Sequence, residues 1–73
     1  QGLFLQVYFN ERTGTKAFAL IEGERRIWGL DFDNLRGWHL HPLESPDSHI
    51  PIEPKEIGQI VDLLKEVLLS YDT

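Results

Sequence analysis

The 73-residue chain has no cysteine. Disulfides, thiolate nucleophiles and zinc–thiolate sites are therefore excluded. No apolar run approaches the roughly 20 residues of a membrane helix. No signal-peptide pattern opens the chain, so the sequence predicts a cytoplasmic protein without a membrane partner. The first residue is Gln1 rather than methionine, which predicts a processed or trimmed N-terminus. Phosphate-binding glycine loops, dinucleotide fingerprints and the G-x-S-x-G elbow are all absent. Ser45, Ser48 and Ser70 have no base at recognisable spacing, so nothing supports a nucleophilic triad. Internal repeats and low-complexity tracts are lacking too.

Basic residues are scarce. Seven lysines and arginines face twelve acids, giving a net charge of −5. The first 37 residues hold five of each sign, so the whole excess falls in the second half. A protein that grips DNA grooves needs a basic face, and this balance argues against one. Arg12, Lys16, Arg25, Arg26 and Arg36 leave room only for a local basic surface in the first half.

What is present is mostly periodic. Leu3, Leu5, Val7 and Phe9 alternate with Phe4, Gln6 and Tyr8, the period of a strand. The polar stretch Asn10–Thr15 contains Gly14 and suits a hairpin loop. Lys16–Glu22 is a second strand, apolar on both faces and so the best candidate for a central strand. Gly23-Glu24 is a tight turn. Arg25–Phe32 is a third strand, with Trp28, Leu30 and Phe32 on one face and Ile27, Gly29 and Asp31 on the other. Trp38–His41 is a short fourth. Pro42, Pro46, Pro51 and Pro54 mark a loop or edge over 42–53, because proline has no N–H for a ladder.

Ile57, Ile60, Val61, Leu64, Val67, Leu68 and Tyr71 then recur at helical spacing, predicting a helix over about 54–71. Pro54 suits its first position and Glu56 its first turn. Leu63 and Leu69 fall off the stripe. The sequence thus predicts one α+β domain over 1–73. It would be an antiparallel meander of three to four strands (β-β-β-β-α, sheet about 3–42), with a C-terminal amphipathic helix on one face.

The register of the third and fourth strands follows from their apolar faces. A five-residue connection, Asp33–Gly37, sets Phe32 opposite Trp38, Leu30 opposite Leu40, Asp31 opposite His39 and Gly29 opposite His41. A one-residue slip would turn every side chain to the wrong face. Asp31, His39 and His41 therefore share the face away from the helix, with open space beside Gly29. A carboxylate beside an imidazole fixes its tautomer, and such a histidine can act as general acid or base. A metal reading competes: His39 and His41 project to one side, His49 could return from the proline-rich loop, and Asp31 could add a fourth ligand. Solvated histidines on an open sheet face are the plain alternative. No cofactor and no metal are favoured. Asp33-Asn34 suits a turn, and Trp28 and Trp38 suit a core.

The run Arg26…Asp33-Asn34…His39-x-His41…Glu53-Pro54, followed by a leucine-rich helix, resembles the TumE-like family of small prokaryotic toxins. The likeness spans roughly residues 26–70. Only Leu35–Trp38 separate Asp-Asn from His-x-His here, fewer than is usual in that family. The resemblance implicates Asp33, Asn34, His39 and His41. It implies an antitoxin-like protein partner, with RNA as the target of a histidine-assisted, metal-independent cleavage. A different expectation is a non-enzymatic module that self-associates as a homodimer through an exposed sheet face bearing Phe4, Tyr8, Phe18 and Leu20.

Overall fold

The computed structural model describes residues 2–71, so the expectation about Gln1 lies outside the described residues. Strands β1 (Leu3–Asn10), β2 (Thr15–Glu22), β3 (Arg25–Asp33), β4 (Gly37–His41) and β5 (Ile50–Pro51) form one antiparallel sheet in chain order. Helix α1 (Ile57–Tyr71) packs on one face.

The β3–β4 register is the expected one: Phe32 opposes Trp38, Leu30 Leu40, Asp31 His39, and Gly29 His41. The turn chemistry explains it. Asp33 Oδ1 accepts hydrogen bonds from the Leu35 and Arg36 amides at 2.9 and 2.7 Å. Gly37 then takes a φ of 71°, a conformation that other residues rarely adopt. These bonds also hold the Asp33 carboxyl below its ordinary value, with the Arg36 amide as the main cause.

The helix-facing side gathers Phe18 and Leu20 from β2, Trp28 and Leu30 from β3, and Ile60 from α1. Leu30 is fully buried, and a buried leucine contributes about 1.5–3 kcal/mol relative to an exposed one.

Strand β2 is interior, paired on both sides as expected, and three expectations are corrected. The sheet has five strands rather than three to four, because the proline-rich segment adds β5 beyond β4. Proline did not prevent this: Pro51 sits on the outermost strand, where a missing N–H costs no ladder bond. The helix starts at Ile57 rather than Pro54. Its N-cap is Glu56, whose carbonyl accepts the Ile60 amide and whose own amide donates to Gln59 Oε1 at 2.9 Å, half of a capping box. Finally, Phe18 and Leu20 lie under the helix, opposite Val7 and Leu5, and are not on the same face as Phe4 and Tyr8. The helix's own packed face includes Leu63, while Ile57, Val61 and Leu68 stay partly open.

One irregularity matters for the site. Leu20 pairs with Trp28 but Ile21 pairs with Arg26, so Ile27 is an extra residue in β3. A bulge of this kind shifts the alternation by one. Ile27 turns into the core, and Arg26 comes to share a face with Gly29 and Asp31.

Candidate metal centre

On the face away from α1, β3 presents Asp31 and β4 presents His39 and His41. The segment after β4 folds back over them. Its Pro46 carbonyl lies 3.0 Å from His41 Nδ1, and β5 then pairs Pro51 with His39. This return brings His49 against both rings, with centroids 4.5 Å from His41 and 5.5 Å from His39. His39 and His41 are buried, at 3% and 2% exposure, whereas His49 is open to solvent. One ring nitrogen from each of the three histidines lies within 4.8 Å of the others.

Asp31 stands at the centre. Its Oδ2 is 3.2 Å from His41 Nε2, 3.6 Å from His39 Nε2 and 3.5 Å from Arg26 Nη1. Its Oδ1 is buried with no hydrogen-bond partner among the described residues. Arg26 fills the space beside Gly29: its Nη1 would lie 3.4 Å from a Cβ placed there.

The tautomers follow from the carbonyls. His39 Nδ1 is 3.0 Å from the Gly37 oxygen, and His41 Nδ1 is 3.0 Å from the Pro46 oxygen. A carbonyl only accepts, so each Nδ1 carries the proton and donates. Arg26 Nη2 also lies 3.4 Å from His41 Nδ1, and it would need the opposite tautomer. The carbonyl contact is the shorter and governs. In a neutral ring each Nε2 is then a lone pair aimed at a carboxylate oxygen. Burial, and next the Arg26 guanidinium, hold His41 below its ordinary value against the opposing pull of Asp31, which favours the neutral ring. For a neutral ring acceptor then faces acceptor, and a proton on Nε2 or a metal ion between the two groups turns repulsion into binding. Imidazoles fixed through Nδ1–H to backbone carbonyls, with Nε2 converging, form the arrangement by which proteins orient metal-ligating histidines.

Of the five candidate catalytic residues, the fold gathers Asp31, His39 and His41. Asp33 and Asn34 stay in the turn. Asp33 caps backbone amides there, and Asn34 Nδ2 donates to the Thr13 carbonyl at 2.6 Å, tying two hairpin ends together. His49, weighed with His39 and His41 as the alternative metal set, joins them. Arg26 was missed as a neighbour of the site because strict alternation places it with Trp28. No helix among the described residues is long and apolar enough to cross a membrane. The chain matches no family model, no curated protein and no solved structure.

Proposed function

We propose that this is a small metal-binding domain, holding a zinc-class divalent ion through His39 Nε2, His41 Nε2, His49 and Asp31 Oδ2. One observation carries the reading. Ligands bonded to zinc at about 2.0–2.1 Å stand about 3.3 Å apart at the corners of a tetrahedron. The Asp31–His41 and Asp31–His39 separations, 3.2 and 3.6 Å, bracket that edge before any side chain moves. Imidazole with carboxylate suits zinc, nickel, cobalt or copper rather than calcium or magnesium. Four protein ligands close the tetrahedron, the pattern of a structural or sensing site. His49 supplies the exposed side by which an ion enters.

The test is calorimetric titration of chelator-treated protein with Zn2+, with Co2+ absorption reporting the geometry. One ion per chain is expected, with a tetrahedral cobalt spectrum. Because His49 is exposed, His49→Ala should fold normally and still weaken binding by at least about 10- to 100-fold. Absence of heat, together with unshifted histidine NMR signals, would sink the proposal.

The toxin-like reading stands as a second proposal, with RNA as target and an antitoxin as partner. What supports it is the presence of Asp31, His39 and His41 on one face. What weighs against it is burial, since rings closed to solvent do not reach a phosphodiester without the 42–49 segment opening. Growth arrest on expression, relieved by His39→Ala, would support it. Unimpaired growth would count against it.

A further inference from the structure

Strand β1 lies at one edge of the sheet and β5 at the other. The two edges differ in kind. β5 is two residues long and ends on Pro51, which has no N–H to offer. β1 is eight residues, Leu-Phe-Leu-Gln-Val-Tyr-Phe-Asn, with no proline, glycine or charge. It carries none of the devices that keep an edge from pairing. Leu3, Phe4, Leu5, Val7, Tyr8 and Phe9 each stay 41–59% exposed. Helix α1 does not close over β1, and a groove remains between them. Leu5, Val7 and Phe9 line one wall, and Ile57, Val61 and Leu64 the other.

We infer that a second copy of this chain covers this edge. The two β1 strands would pair antiparallel about a two-fold axis at Gln6, joining both sheets into one of ten strands. The register follows from burial. Pairing centred on Gln6 sets Leu3 opposite Phe9 and Leu5 opposite Val7 on the helix side, and Phe4 opposite Tyr8 on the other. Both helices then lie on one side, and the two grooves merge into a single apolar core. A half-residue offset would put the helices on opposite sides and leave both grooves open.

Surface area supports the pairing. The chain exposes 5260 Å², whereas a monomer of 8.5 kDa is expected to expose about 4,650 Å². The excess, roughly 600 Å² per copy, is comparable to one partner's share of the ~1,000 Å² that a specific interface requires. The strip is uncharged, so the net charge of −5 does not oppose contact there. Assembly stops at two, because the contact is isologous and Pro51 blocks the remaining edge.

The test uses the absence of cysteine. Two residues opposite each other across antiparallel strands have Cα atoms about 4.5–5.5 Å apart, within disulfide range. Gln6→Cys, which opposes itself at the axis, should cross-link nearly completely under mild oxidation. Lys65→Cys, on an exposed turn of α1, should not. Light scattering of the unaltered chain at 10–100 µM (about a tenfold range around typical affinities) should give twice 8.5 kDa. Val7→Lys should give the single-chain mass with an unchanged circular dichroism spectrum. A single-chain mass at every concentration would overturn the inference. So would growth beyond two copies, or a dimer that Gln6→Cys fails to cross-link. Zn2+ titration of Val7→Lys keeps this result separate from the metal site, which lies on the far strands.

Discussion

Gly29 lies against the site, between the Arg26 and His41 side chains. A Cβ there would meet Arg26 Nη1 at 3.4 Å, His41 Cδ2 at 3.5 Å and Arg26 Cδ at 3.6 Å. Those are ordinary contacts, and the arginine end is flexible. Gly29→Ala should therefore leave Zn2+ affinity within about threefold and gain up to ~1 kcal/mol, since glycine weakens a strand. Gly29→Val adds two methyl groups against the His41 ring and the arginine. It should lower affinity by about tenfold, as changes beside metal ligands do. Paired Zn2+ titrations and urea melts check both outcomes, and equal affinities for the two variants would mean that the ring position is not set from Gly29. The Asp31–His39 opposition was legible in the sequence because hairpin parity alone decides it. Arg26 was not, because the bulge at Ile27 depends on how Leu20 and Ile21 pair with β3.

At the scale of elements, the two ends of α1 differ in pH behaviour. The Glu56–Gln59 cap holds the start. At the end, a hydrogen bond to Glu22 is the main cause raising the Tyr71 hydroxyl above its ordinary value of 10.0. The neutral phenol makes that bond. Its stabilisation is complete below pH 10 and is lost as pH rises through the raised value. Tyr71→Phe should lower the urea midpoint at pH 8, and the gap from the parent should narrow by pH 11–12, about one to two units above the ordinary value. A gap that stays constant would assign Tyr71 a packing role only. The helix itself was plain in the sequence, but its first residue was not. Pro54 and Glu56 both fit a helix start, and the backbone bond from Ile60 to Glu56 decided between the positions.

For the whole molecule, the proposed metal site would depend on the 42–49 segment, which brings His49 to His39 and His41. His49 and the Pro46 carbonyl hold the return of the chain over β4, so a bound ion would cross-link that return to β3 and β4. Any ligand that binds only the folded state stabilises it, by about 2.7 kcal/mol at 100 times its Kd. For a domain of this length that corresponds to a rise of about 10–20 °C in Tm. Calorimetric melting with saturating Zn2+, then with excess chelator, should show the rise and its reversal. An unchanged Tm would place any zinc binding outside the folded site.

The sequence by itself determined the α+β class, the first four strands and the helix, because these depend on local periodicity and turn residues. It also determined the β3–β4 register, since an apolar face allows one parity only. The tertiary structure alone decided which residues converge. His49 sits eight residues beyond His41 behind two prolines, and no local pattern shows that such a loop returns. The tertiary structure also turned Arg26 to the Asp31 face and fixed each Nδ1 proton on a carbonyl. It left β1 uncovered by placing the helix over the later strands. Each of these depends on how strands pair or on how a loop or turn folds, which periodicity does not encode.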